Sequence, residues 1–228
     1  MDITHQNTAL SGPDIDIGAA LEFAKADPDW IKKCGLHGLV LLIPIAGALS
    51  VLGWSRKVYE GAKAGDRTLP DLDIGSEVSH GIAPLVALFN IMAILLPVSI
   101  FFAIGTGIGS AVGGEMGGII SIVMLLLLFG MQLVVTLMMV VITPELQRRG
   151  YNGEMGPLFS PGASFRAIKA NPKAYAMTAL GLFVAQLISS IGMFACYIGM
   201  FITMPFGSAM AAHILAQWDG IVQLNEAG

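Results

Sequence analysis

The chain has 228 residues, 55% hydrophobic and 12% charged, with a formal net charge of −4. Soluble domains carry about a quarter charged residues, so this composition asks for an apolar surrounding. There is no basic cluster dense enough for nucleic acid, which is excluded as a partner. Charge is absent from Cys34–Ser55, Ile82–Gly114, Met116–Pro144 and Ala174–Trp218, and uncharged apolar runs of this length read as membrane helices.

Residues 1–26 read as an acidic cytoplasmic tail. They lack the basic start and apolar core of a signal peptide, so the first hydrophobic segment is expected to act as the targeting signal. Ile17, Ala20, Leu21 and Ala24 recur at helical spacing and predict a short amphipathic stretch. In "DPDWIKK", Asp27 suits a helix cap, Pro28 the first helical position and Trp30 the headgroup level.

Residues 27–220 read as one membrane domain, followed by a tail at 221–228. Its first hydrophobic segment, about 31–54, is long enough to cross a bilayer but contains "LIPIAG". Proline removes a helical hydrogen bond and pushes the residue before it out of helical dihedrals, so Ile43 is the expected break. If the chain turns back there, Ile45, Leu49 and Leu52 are expected to pack on the last hairpin, since freed backbone at membrane depth needs protein around it.

Segments 82–110 and 117–143 predict a long hairpin joined by "GSAVGGEMGG", with Glu115 at its tip. "NPKAY" opens the last run, with Asn171 as cap and Pro172 in the first turn. From Ala174 to Trp218 there are 45 residues without a charge, roughly 65 Å of helix, about twice the ~30 Å hydrocarbon core. They are expected to cross and return as 174–191 and 193–218, turning near Gly192.

All twelve Lys and Arg precede Cys34, lie between Arg56 and Arg67, or lie between Arg148 and Lys173. The second and third groups flank the middle hairpin and share one side, which the positive-inside rule makes cytoplasmic. A first segment that turns back keeps all twelve on that side, whereas a crossing exports Lys25, Lys32 and Lys33. The expected fold is therefore all-α: a polytopic membrane helix bundle with a short re-entrant (or single-span) N-terminal segment and two transmembrane hairpins. Both termini are then cytoplasmic.

"DWIKK", "LIPIAG", "LGW", "LPDLD", "FRAIKANPKAY" and "AAHILAQW" occur in this order over residues 28–220. They resemble a prokaryotic membrane family known as domain of unknown function 4013. More loosely, the chain is similar to small multi-span proteins built as three helical hairpins. The resemblance implies an inner-membrane location and a shortened first hairpin, and it implies no activity. The glycine-rich turn at Gly105–Gly118 departs from it.

No Asp, Glu, Lys or Arg falls inside the predicted spans, which argues against proton coupling, voltage sensing or intramembrane acid–base catalysis. Cys34 and His37 share a helical face, and Cys196 and His213 could complete a zinc site. Scattered Cys and His in apolar helices are far more often packing residues, so neither a metal nor a cofactor is expected. His213, Gln217 and Trp218 read as interfacial anchors or as contacts to a lipid head group.

Ser121, Gln132, Thr136 and Thr143 form a polar stripe on one segment, Gln186, Ser189 and Ser190 form another, and Asn90 stands alone. Such residues join helices more often than they line pores. Gly105 and Gly109 suit a close helix contact, within the chain or in an oligomer. Leu69, Leu72, Ile74, Leu158, Phe159 and Phe165 offer apolar side chains in the linkers for docking on the membrane or a partner. The expected role is a non-enzymatic scaffold, accessory subunit or membrane organiser, self-associating or bound to another membrane protein. The alternative is a channel or transporter for a small neutral solute, and an enzyme acting on lipid comes third.

Overall fold

The computed structural model describes residues 14–154, 161–194 and 198–227, with side chains apart from those at 90–95, 98, 161, 226 and 227. Among these the chain is all-helical, without strands. Helix α1 (Ile17–Ala26) starts where the Asp16 carboxylate accepts from the Ala19 amide at 2.8 Å. It buries Ala20, Phe23 and Ala24. Asp27 does not cap the next helix, α2 (Trp30–Val40), whose cap position is Asp29. It accepts instead from the amides of Asp29 and Leu69, docking the distant 65–73 loop.

The first hydrophobic segment is broken. Leu41, Leu42 and Ile43 each donate to the carbonyl three residues back, tightening the end of α2 as helix ends often do. The Ala46 amide then donates to the Pro44 carbonyl at 2.7 Å around Ile45, which has φ 64 and ψ −59. This is the strained, positive-φ form of the three-residue turn. Helix α3 (Ala46–Ala64) returns from it alongside α2. The kink therefore centres on Ile45, two residues beyond the expected Ile43, where the backbone takes a positive φ. Ile45 does not pack on the last hairpin as expected. It is 77% exposed, and the contact is made by Gly38, where a Cβ would overlap the Phe201 carbonyl.

Helix α4 (Ile74–His80) is short and capped by Asp73. Helices α5 (Ile82–Val112) and α6 (Gly114–Tyr151) form the long hairpin. The expected ten-residue turn is nearly absent. Gly113 and Gly114, at φ 63 and 57, reverse the chain alone, a conformation glycine adopts without steric cost. Helix α6 also outruns its expected end at 143, passing Pro144 to reach Tyr151.

Helix α7 (Pro161–Ala170) leads to α8 (Pro172–Ile191) and the short 3-10 turn Gly192–Phe194. Pro172 opens α8 as expected, but Asn171 makes no side-chain cap bond. Helix α9 (Met200–Ala227) runs nine residues past its expected end at 218. It is the spine of the core, packed by α1, α2, α3 and α8. Every residue from Ala212 to Asp219 is buried. Trp54, Tyr59, Phe206 and Leu215 fill one side of it, and Tyr175, Met210, Ile214 and Trp218 the other.

The long hairpin contrasts with this core. Helix α6, and α8 with its 3-10 extension, are long and apolar enough to cross a membrane, and Ser99–Val112 of α5 is a shorter apolar stretch. Only 11% of the apolar window of α6 is buried, with Leu126, Phe129, Val134 and Leu137 outward. A helix buried inside a soluble core would hide these side chains, whereas apolar exposure on this scale calls for lipid or a partner. These helices point to a membrane protein.

Candidate functional site: a neutral polar groove among buried ionic locks

Between α6, α8 and α9, closed at one end by α3, lies a cavity of about 370 Å³. Helix α6 supplies Thr136, Val140, Thr143 and Gln147, three or four residues apart and so on one face. Helix α8 opposes them with Ala179, Phe183, Gln186 and Ser189. Beneath, α9 contributes Gly207, Ser208 and Ala211. Gly207 lets α8 come close, since a Cβ there would collide with Ser189. Leu52, Ser55 and Tyr151 close the α3 end. Eleven residues of α6 give the groove a length of roughly 16 Å.

Among the described residues, none of Asp, Glu, Lys or Arg lines it. The hydroxyls of Ser55, Ser189 and Ser208 donate to carbonyls of their own helices, at 2.8, 2.9 and 2.9 Å, the usual habit of serine inside a helix. The side chains of Thr143, Gln147 and Gln186 have no hydrogen-bond partner among the described residues. Two amides and a hydroxyl thus border an apolar space with their hydrogen-bonding capacity unspent.

The charged groups, by contrast, are bound to one another. The buried Asp219 carboxylate accepts from Arg148 at 2.7 Å, Asn152 at 3.0 Å and Gln223 at 2.7 Å, and pairs with Lys63 at 2.5 Å. Arg148 also grips Glu145 through two nitrogens, at 3.0 and 2.8 Å. One network therefore ties α9 to α3 and α6. Burial alone would raise the Asp219 carboxyl, but Lys63, Arg148 and Asn152 hold it below the ordinary carboxylate value.

A second lock joins α2, α3 and α4. Glu77 accepts from the Asp73 amide at 2.9 Å and from the Ser50 hydroxyl, and faces His37 Nε2 at 3.0 Å. His37 Nδ1 faces the Lys33 carbonyl at 2.7 Å, and Trp54 stacks on the ring with centroids 4.4 Å apart. Burial pushes the Glu77 carboxyl up, and these donors outweigh it and hold it low. Ser, His and Glu meet here, yet they form no nucleophile–base pair. The Ser50 hydroxyl points to Glu77 rather than to His37, and all three are fully buried with no space for a substrate.

The third lock pairs Lys33 with Asp27 at 2.8 Å and Asp71 at 3.2 Å. Burial raises the Asp27 carboxyl, and Lys33 with the Asp29 and Leu69 amides brings it below its usual value. Sequence reasoning missed all three locks. Asp73 followed four residues later by Glu77 resembles a displaced capping box and was the one legible trace. The partners His37 and Asp219 come from other elements.

The polar stripes split. Thr136, Thr143, Gln186 and Ser189 meet at the groove. Gln132 donates to Thr136 at 3.5 Å within α6, and Ser121 and Ser190 return to their own helices. Among these residues one bond crosses between helices, from Thr203 to the Ser189 carbonyl at 3.0 Å. Helix joining by these side chains is thus a minor part of what they do. Gly105 and Gly109 lie against Met124 and Ser121 of α6 in the same chain. Asn90, Leu158, Phe159 and Cys196 lie outside the described side chains.

His213, Gln217 and Trp218 are not at a lipid interface. All three are buried. Gln217 accepts from the Asp16 amide at 2.7 Å and donates to the Asp16 carbonyl at 3.0 Å, with His213 Nδ1 3.0 Å from its amide nitrogen. His213 also lies against Phe23, centroids 4.5 Å apart. The trio fastens the N-terminal segment to α9. Leu69, expected as a docking side chain, is buried as well, while Ile74 and Phe165 are exposed.

No curated protein and no solved structure matches the chain. One family model, described as "Protein of unknown function (DUF4013)", matches residues 36–204. That range takes in the broken first segment, the long hairpin and the whole of α8, and on that match the chain belongs to the DUF4013 family.

Proposed function

We propose that this is an integral protein of a prokaryotic inner membrane that works without catalysis, as a scaffold, accessory subunit or membrane organiser. One observation carries the reading. The buried ionic groups are consumed in locks between helices, while the long hairpin turns a broad apolar surface outward. Such a body holds a shape in the membrane and offers a surface to lipid and to other membrane proteins. Co-purification from native membranes after mild crosslinking tests it. A defined partner is expected, and a protein recovered alone while moving solute across liposomes would refute it.

In this reading α5 and α6 cross the bilayer, and the remaining helices enter from one side only. Lys33 lies seven residues before the end of α2 and, with the tightened turn through Ile43, roughly 16 Å from the turn at Ile45, and the Asp71 side chain beside it is 90% exposed. That depth is about half of the ~30 Å hydrocarbon core. The start of α9 is level with it, because Gly38 touches the Phe201 backbone. Farther down α9, Glu22, Asp66 and Arg67 surround a pocket at His213. Charged elements beside the first hairpin support keeping it within a single leaflet, and in this reading α8 and α9 follow it through the Gly38–Phe201 contact. The exposed Leu42, Ile43, Ile45, Phe194 and Ile198 then sit in acyl chains.

Single cysteines, in a background with Cys34 and Cys196 replaced by alanine, test the topology. Glu115→Cys should react with an impermeant maleimide on intact cells, and Ile45→Cys and Phe194→Cys should not. Labelling of Phe194→Cys from outside would make α8 and α9 a second crossing.

The runner-up is a channel or transporter for a small neutral solute. It draws on the uncharged groove, where hydroxyls and amides of α6 and α8 face one cavity. Solute flux in liposomes separates the two readings.

A further inference from the structure

The geometry points to the groove between α6, α8 and α9 as a binding site for a neutral, single-chain amphiphile whose head group carries hydroxyls, of the monoacylglycerol kind. The assignment rests on the membrane reading above and adds a ligand class to it. Charge comes first. No ionisable side chain other than the Tyr151 phenol lines the cavity. An anionic or zwitterionic head would enter without a counter-charge, in a setting where unpaired charge is strongly disfavoured.

Hydrogen bonding comes second. Gln147, Thr143 and Gln186 present donors and acceptors that no described residue uses. Hydroxyls can fill both roles at once, and an ester carbonyl can accept from an amide nitrogen. A plain alkane would leave these groups unpaired.

Shape comes third. A volume of about 370 Å³ lies in the range of small-ligand pockets and takes a glycerol head with the first part of one chain. The walls beyond the polar groups are Leu52, Met139, Val140, Leu182 and Phe183. Val140 and Phe183 are themselves exposed on the outer face, so a longer chain can leave the groove directly into the lipid layer. Entry needs no opening of the ionic locks.

The test uses the full-length protein in phosphatidylcholine nanodiscs. The probe is a decanoyl monoacylglycerol carrying a diazirine in its chain. Irradiation followed by peptide mapping should place the label on residues 136–147 and 179–189. Unlabelled monodecanoylglycerol should displace it about tenfold better than decanoate, the margin of one well-made polar contact. Gln147→Leu with Gln186→Leu should erase that preference while labelling persists, and Ala211→Phe should abolish labelling by filling the groove. Label spread over the outward face of α5 and α6, around Phe101 and Phe129, would overturn the site. Equal displacement by decanoate would overturn the neutral head group. Carbonate extraction of the same preparation keeps the two levels apart: protein released by carbonate removes the membrane reading, whereas protein retained but unlabelled in the groove removes only the ligand.

Discussion

Asp219→Asn removes one negative charge from a fully buried carboxylate and keeps its size. The carboxylate accepts from Arg148, Asn152, Gln223 and Lys63, and the amide nitrogen of asparagine would face donors on one side. Breaking a buried ion pair by removing one partner costs about 3–5 kcal/mol. Arg148 retains Glu145, and Lys63 is about a third exposed and can turn to water, which places this site near 3 kcal/mol. For a chain of this size each kcal/mol shifts Tm by roughly 2–4 °C, so a fall of about 6–12 °C is expected. Tryptophan fluorescence in nanodiscs would follow it, since Trp218 is the adjacent residue. Lys173→Gln serves as control, because its pair with Asp14 is exposed on both sides and such pairs contribute little. The pH dependence has a definite sign. The folded carboxyl is held below its unfolded value, so its stabilisation is complete above about pH 4 and is lost as pH falls further. The gap between wild type and Asp219→Asn should close in acid. A variant melting within about 2 °C of wild type at pH 7 would refute the claim that this network holds α9 to α3 and α6.

Three further outcomes are expected. Glu77→Gln should lower Tm, and His37→Leu combined with Glu77→Leu should lower it less than the two single changes added together, because the pair leaves no orphaned partner; additive melting shifts would count against a coupled lock. Gly109→Leu should destabilise the long hairpin by colliding with Ser121 while the particle size in mild detergent stays the same. A changed size with unchanged stability would restore the oligomer reading of Gly105 and Gly109. Ile45→Gly should raise Tm in detergent by about 2–4 °C, the equivalent of ~1 kcal/mol of relieved backbone strain, since the exposed side chain gives up no packing; a lower Tm would show that the turn is not strained.

Helix positions were legible where local chemistry decides them. Asp16, Pro172 and the Gly113–Gly114 pair mark ends that caps, ring geometry and positive φ impose within a few residues. The break at Pro44 was legible for the same reason, although its centre was not, since the strain moved to Ile45. The locks were not legible. His37 meets Glu77 across forty residues and Gln217 meets Asp16 across 201, and nothing local announces such a partner. The groove was half visible. The spacing put Thr136 and Thr143 on one face of α6 and Gln186 and Ser189 on one face of α8, but only packing could show that the two faces meet.

The 45-residue uncharged run from Ala174 to Trp218 shows that composition alone does not say what removes charge from a helix. Burial by lipid and burial by protein remove charge equally, so both leave the same apolar stretch. What separates them is the chemistry of the neighbours. Helix α9 is apolar because α1, α2, α3 and α8 enclose it, and the outer surfaces of α1 and the 65–73 loop carry Glu22, Asp66 and Arg67. Helix α6 is apolar with little enclosing it, and its outward side chains are Leu, Val and Phe. An apolar helix enclosed by other helices needs no lipid to account for its composition. An apolar helix whose outer face meets no protein of its own chain calls for lipid or a partner. The two ends of this chain thus form one body, bound by Asp219 and Gln217, from which the apolar outer face of α6 stands apart.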